Sequence, residues 1–294
     1  MIKNFIEIKY LYYAMHNEWV KKSYDYTHKA HPSVIRKEYR IPLPPLPVQQ
    51  EIVRILDHFT ELTAELTAEL TAELTARRKQ YAYYRDALLT FGEEVPRVRL
   101  GDFAEISRGG NFQKKDFLPM GSPCIHYGQI YTHFGVYSDE VITYLPGEIF
   151  EKSKKAHQND IIMAVTSENI EDVCACTAWL GENPIAISGH TAIIRHNQNA
   201  KFLSYYFHTK MFFFQKRRFA HGTKVIEVTP NKLNEILIPL PSIEEQNRIV
   251  SILDHFDTLC NDLTTGLPAE IEARKKQYEY YRDKLLTFQE MKVK

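Results

Sequence analysis

Apolar residues recur three and four positions apart at Ile52, Ile55, Phe59, Leu62, Leu66, Leu70 and Leu74. At 3.6 residues per turn this spacing lays one stripe along a long helix. Pro42, Pro44, Pro45 and Pro47 keep the lead-in extended, because proline breaks helix interiors, and Pro47 itself suits a first helical turn. The whole pattern returns later in the chain. Ile41-Pro-Leu-Pro44 reappears as Ile238-Pro-Leu-Pro241, Ile55-Leu-Asp-His-Phe59 as Ile252-Leu-Asp-His-Phe256, and Tyr83-Tyr-Arg-Asp86 as Tyr280-Tyr-Arg-Asp283. The offset is always 197, and 31 of the 51 positions from Ile41 to Phe91 are identical, which only duplication explains. Each copy predicts a rod of forty-odd residues, roughly 65 Å long at about 1.5 Å per residue. A single apolar stripe on so long a rod needs a partner helix, and the second copy supplies it.

Inside the first rod the unit Glu-Leu-Thr-Ala repeats four times from Glu61 to Ala76. A period of four advances each Leu about 40° beyond a full turn, so the stripe winds around the rod. One unit more or less changes the rod by about 6 Å and turns one end by about 40°. The bland alternative is a coiled coil with no further role. The second rod carries Leu259, Leu263, Leu267 and Ile271 at the matching pairing positions. Its Gly266 and Pro268 predict a kink or break, and Ser242-Ile-Glu-Glu245 fits a capping box.

Between the rods the pattern changes to short apolar runs, Ile161-Ile-Met-Ala-Val165, Ile185-Ala-Ile187 and Ala192-Ile-Ile194, punctuated by Gly, Pro and Asn. These read as buried strands, and with a helical stretch from Lys201 they predict an α/β globular domain. The front of the chain echoes the end of that domain: Lys9-Tyr-Leu-Tyr-Tyr-Ala-Met-His16 resembles Lys201-Phe-Leu-Ser-Tyr-Tyr-Phe-His208 at an offset of 192. The expected divisions are a C-terminal remnant of a first globule at 1–40, a first rod at 41–91, a globule at 92–237 and a second rod at 238–294.

Composition narrows the classes. Lys+Arg and Asp+Glu both total 37, so the chain is neither a basic-tail nucleic-acid binder nor an acidic disordered one. Four Cys in 294 residues are too few for a disulfide scaffold, and a reducing, cytoplasmic setting is expected. No apolar run reaches the length of a membrane span. Catalytic signatures are missing: there is no Walker A loop, no His-Glu-x-x-His and no Asn/Asp-Pro-Pro-aromatic motif. No cofactor is expected. Cys174-Ala-Cys176 reads as a core pair, since Cys124 and Cys260 offer no matching second pair for a metal.

Charge is unevenly spread. From Lys201 to Lys224 the chain carries Lys201, Lys210, Lys216, Arg217, Arg218 and Lys224 without an acid, interleaved with aromatics. Phosphates need such cations, and Lys216, Arg217, Arg218 and Lys224 are the phosphate-contact candidates; a solvated helix face is the alternative. Three polar loops could meet base edges. The first carries Arg108, Asn111 and Gln113, which can pair bidentately with bases, followed by Lys114 and Lys115 for the backbone. The second carries Tyr127, Gln129, Tyr131 and His133, and the third Ser167 and Asn169. Tyr83, Tyr84, Tyr280 and Tyr281 at the rod exits serve either rod packing or partner docking. Asp57-His58 and Asp254-His255 are either helix-surface pairs or docking residues.

The Ile-Pro-Leu-Pro/Ile-Leu-Asp-His-Phe lead-in, the Arg-Lys-Gln-Tyr/Tyr-Tyr-Arg-Asp/Leu-Leu-Thr-Phe exit and the Thr-Ala-Glu-Leu run together resemble the specificity (S) subunit of type I restriction–modification systems, over essentially the whole chain. The resemblance implies a target recognition domain flanked by two long helices that form an antiparallel coiled coil. It implies a non-catalytic subunit that reads half of a bipartite site in double-stranded DNA and docks methyltransferase (M) subunits, with endonuclease (R) subunits as further candidate partners. The repeat number would then set the unread spacer between half-sites. An S subunit has two recognition domains, and this sequence shows one and a fragment. Pairing of two copies through the rods is therefore a further expectation. The rival reading is an inactive or silent recombination-cassette fragment of such a subunit.

Overall fold

The structure is a computed structural model, and it describes residues 5–21, 39–110, 112–261 and 266–288. Helix α1 spans Ile8–Val20 and helix α2 spans Leu46–Leu88, 43 residues without interruption. The chain divides into two units, residues 1–78 with 258–294, and residues 79–257.

In the first unit α1 packs on the beginning of α2. Tyr10, fully buried, sits with Ala14, Ile52, Val53, Leu56 and Leu286, and its hydroxyl donates to the Pro42 carbonyl at 2.8 Å. Lys9 and Tyr13 both donate to the Asp57 carboxylate, at 2.6 and 2.8 Å. Gln49, fully buried, accepts from the Glu7 backbone and donates to the Phe5 and Pro44 carbonyls. Residues 5–20 are thus an ordered, docked element. Residues 22–38, the rest of the expected remnant, lie outside the described residues. Farther along, Phe59 stacks on Tyr281 at 5.8 Å, and the Thr60 and Tyr278 hydroxyls meet at 3.0 Å. As residue numbers rise on α2 they fall on the facing helix, so the two run antiparallel.

In the second unit strand β1 (Arg97–Arg99), helix α3 (Leu100–Phe103) and strand β2 (Ala104–Arg108) open the globule. Strand β3 (Ser122–Ile125), helix α4 (Tyr127–Thr132), strands β4 (Tyr137–Ser138) and β5 (Thr143–Leu145), helix α5 (Gly147–Lys152) and strand β6 (Lys155–Ala156) follow. Then come β7 (Ile161–Ala164), β8 (Thr166–Ser167), β9 (Cys176–Trp179), β10 (Ile185–Ile187) and β11 (Thr191–His196). Helices α6 (Ala200–Phe207) and α7 (Lys210–Phe219), strand β12 (Ile226–Glu227), helix α8 (Pro230–Leu233) and strand β13 (Leu237–Pro239) close it.

One sheet has the order β2-β11-β7-β9-β4 and a second the order β5-β3-β10-β6. The three apolar runs are β7, β10 and β11, and β7 is buried at every position, which explains its unbroken hydrophobic run. Ile125, Ile162, Ala164, Trp179, Ile185, Ile187 and Ile193 form the main core. Helix α6 lies on β9 and β7, and its Ser204 hydroxyl donates to the Val136 carbonyl. Pairing of β1 with β13 ties the two ends of the globule together.

The second rod is broken where Gly and Pro predicted it. Helix α9 spans Ile243–Asn261, and helix α10 spans Leu267–Leu286 with Gly266 as its N-cap and Pro268 in its first turn. Half of the expected capping box forms: the Glu245 backbone donates to the Ser242 hydroxyl at 3.3 Å, while the Glu245 side chain pairs with Arg248 instead. Within the second unit Tyr84 stacks on Phe256 at 5.5 Å, the duplicate of the Phe59–Tyr281 contact.

The pairing leucines correct a simple zipper expectation. Leu62 is 46% exposed, and Leu66, Leu70, Leu74, Leu259, Leu267 and Ile271 are only half-buried. Leu263 lies outside the described residues. The four-residue period carries the stripe around the rod, so no partner covers all of it. Full burial falls instead on Leu56 and Leu253, with Ile52 and Ile249 close behind. No described helix is long and apolar enough to cross a membrane.

Candidate nucleic-acid interface

The candidate loops meet at the turn Ser188-Gly-His190, which joins β10 of one sheet to β11 of the other. Arg108, at the end of β2, donates from Nε to the Gly189 carbonyl at 3.0 Å and from Nη2 to Glu227 on β12 at 2.7 Å. The Tyr127 backbone donates to the Ser188 hydroxyl at 2.9 Å, and the Tyr127 ring lies 4.9 Å from that of His190. His190 in turn places Nδ1 3.1 Å from the Thr166 hydroxyl on β8, and its carbonyl accepts from Val165. A Cβ on Gly109 would collide with the Ser188 carbonyl and the Thr191 side chain, so only glycine lets this loop lie against the turn. Around these contacts lies a groove of about 580 Å³, lined by Arg108, Gln113, His126, Tyr127, Ser188 and His190 among others.

The wall of the groove is uncharged on one side. His126 is 7% exposed, its Nδ1 accepts from the Gly128 backbone, and its ring lies 4.4 Å from Tyr127. Burial, reinforced by Lys114 and His190, lowers its pKa to about 4. On the other side Gln113, Lys114 and Lys115 are exposed, the two lysines in a single 3-10 turn. Asn111 lies outside the described residues. Tyr127 and Ser167 are half-buried, and His133 and Asn169 exposed, with Asn169 bonded to Asp172.

Besides Arg108, paired with Glu227, and Asn169, paired with Asp172, three expected contact residues have other duties. Lys216 is 5% exposed, and its ammonium donates to the Glu171 carbonyl at 2.8 Å and to that of Val173, which corrects its assignment to phosphate. It points inward from α7 because the Glu171 and Val173 carbonyls accept from its ammonium. Gln129 caps α4, accepting from the His126 backbone and donating to Thr143. Tyr131 donates to the Thr166 carbonyl at 2.6 Å, and burial pushes its pKa up. Lys201 is likewise spent: it pairs with Asp254 at 2.8 Å and covers the Tyr137 ring at 3.6 Å. The cationic stretch is therefore smaller than its sequence count, with Lys210, Arg217, Arg218 and Lys224 exposed. Cys174 and Cys176 are buried free thiols, each pushed up to about 12 by burial.

Sequence reasoning missed Ser188, His190 and His126. The only signal for the turn was its place between two apolar strands; nothing local distinguishes it from any surface turn. Asp57 and Asp254 were legible as a pair, but both face helices of their own unit rather than an outside partner.

The sequence profile of the type I restriction modification DNA specificity domain matches residues 2–76 and again 92–273. The chain belongs to this family. Within the specificity-domain family it is 36% identical over 297 residues to the Escherichia coli type I restriction enzyme EcoR124I/EcoR124II specificity subunit, covering 96% of this chain and 71% of that one. It is 30% identical over 271 residues to the Mycoplasma pneumoniae putative type I specificity subunit S.MpnORF615P, covering 84% of this chain and 92% of the relative. The fold is that of the HsdS subunit from Thermoanaerobacter tengcongensis, with a TM-score of 0.56 at 19% identity, covering 97% of this chain and 70% of that one. A subunit chain from a study of type I R-M complex assembly fits with a TM-score of 0.67, also at 19% identity, over 97% of this chain and 72% of its own length.

Proposed function

We propose that this specificity-family chain is a non-catalytic, cytoplasmic subunit that reads one half of a split site in double-stranded DNA and docks methyltransferase subunits. The observation that carries the reading is the convergence of separate loops, from β2, α4, β8 and β12, on one turn between two sheets. Loops held by a rigid scaffold are what base-edge reading requires. Arg108, Gln113 and Tyr127 border the groove, and Asn111, a base-contact candidate from the sequence, lies outside the described residues; Lys114, Lys115, Arg217, Arg218 and Lys224 supply phosphate contacts. Ser167, Asn169 and His133 belong to the same set of loops.

The rods carry the partner surface. Tyr84 and Tyr281 are used in helix packing, whereas their neighbours Tyr83 and Tyr280 are 69% and 61% exposed. These duplicated tyrosines are the docking candidates for M subunits, with R subunits joining through them. Two copies pairing through their rods would read a palindromic split site, as twofold symmetry requires. Methylome sequencing of a host expressing the chain with its M subunit tests both parts. A palindromic bipartite motif is the expected result. An asymmetric bipartite motif overturns the homodimer, and no motif at all overturns the DNA-reading assignment.

A further inference from the structure

We infer that His190 is a specificity-determining side chain, and that Thr166 sets which hydrogen-bonding group it offers to a base. The inference rests on the DNA-reading assignment and goes beyond the loops that first suggested it. His190 is exposed at the groove, yet its ring is held on two sides, by the Tyr127 ring at 4.9 Å and by the Thr166 hydroxyl 3.1 Å from Nδ1. Its backbone is fixed as well, the carbonyl accepting from Val165. A polar side chain so restrained loses little freedom on meeting a ligand.

The tautomer follows from Thr166. That residue is 7% exposed, and among the described residues its hydroxyl meets only His190. A buried hydroxyl whose proton has no acceptor is costly, so the Thr166 hydroxyl donates to Nδ1. The neutral ring then carries its proton on Nε2. An Nε2–H suits the acceptors of the major groove, namely purine N7, guanine O6 and thymine O4. It has nothing to accept from the amino group of cytosine. His190 therefore disfavours cytosine at one position of the half-site.

The test uses the chain assembled with its M subunits and a pool of duplexes randomised across the half-site, at fixed salt. The wild-type assembly is expected to disfavour cytosine at one position. His190→Ala should erode that preference by about fivefold to tenfold, the loss of one hydrogen bond to a base, and leave the other positions alone. His190→Gln should move the same position toward adenine, whose N6 and N7 suit a carboxamide. Thr166→Val should relax it, because the ring is then free to take either tautomer. A merely structural histidine would lower affinity for all sequences alike, and that result, or unchanged preferences in the alanine variant, overturns the inference. If the alanine variant fails to fold, the valine and glutamine variants decide by the same criterion. A wild-type assembly with no sequence preference instead brings down the DNA-reading assignment itself.

Discussion

Lys216 shows how far a residue's type can mislead about its task. In the sequence it is one of six cations without an acid; in the fold it is a peg whose ammonium gathers two carbonyls of the turn before Cys174. Cys174 itself has φ 67°, a left-handed backbone that needs such support. Lys216→Ala leaves those carbonyls unpaired and opens a void, so it should cost roughly 2–4 kcal/mol in urea unfolding. Arg218→Ala, on the exposed side of the same helix, should change stability by less than about 0.5 kcal/mol and instead lower the salt slope of DNA binding. Three histidines weaken the fold in acid, since burial also lowers the pKa of His208. His126 and His196 are held near pKa 4 by burial, and among the described residues His196 Nε2 has no hydrogen-bond partner. Each is neutral when folded and takes a proton at about 6.5 when unfolded. Their stabilisation is complete above pH 6.5 and is lost as pH falls toward 4. Urea midpoints should therefore drop steeply between those values, and the double variant His126→Gln/His196→Gln should show a shallower fall.

At the scale of elements, duplication built the same latch twice. Lys9, Tyr13 and Asp57 join α1 to α2, and Lys201, Tyr205 and Asp254 join α6 to α9. Gln49 and Gln246 brace the two Pro-Leu-Pro lead-ins alike, each donating to a carbonyl five residues earlier. Because the chemistry is shared, Asp57→Ala should speed amide exchange in 8–20 and Asp254→Ala in 200–207, each without the other. The second effect should be the smaller, since α6 is also held by the sheet. Gly109→Ala should loosen the Arg108 loop through its clash with the Ser188 carbonyl, read as faster exchange in 108–113. The rods, their lead-ins, the break at Gly266 and the three buried strands were all legible in the sequence. Helical period, proline and apolar runs act locally, so they leave a local trace. The partners of Asp57 and Asp254 were not, because a hydrogen bond between residues 48 or 53 positions apart leaves no spacing to read.

For the whole molecule, the Glu-Leu-Thr-Ala run adds little to stability, since none of its leucines is fully buried, and the spacer-setting role that the resemblance implies can be tested by changing its length. Deleting Glu65–Ala68 should leave the thermal midpoint nearly unchanged. It shortens α2 by about 6 Å and turns it by about 40°. In a host methylome the unread spacer of the modified motif should then shrink by about one or two base pairs at about 3.4 Å each. An unchanged spacer would remove the run from any role in setting half-site separation.

The sequence by itself determined the architecture class, the duplicated rods and their break, and the absence of known catalytic signatures. Those follow from periodicity, identity at a fixed offset and residue type, which are written along the chain. Tertiary structure alone decided which polar residues remain available. It turned Lys216, Gln129 and Tyr131 inward, left the described pairing leucines only part-buried, and raised an ordinary turn at Ser188–His190 to the meeting point of the candidate loops. That outcome depends on where two sheets join, and no run of neighbouring residues encodes it.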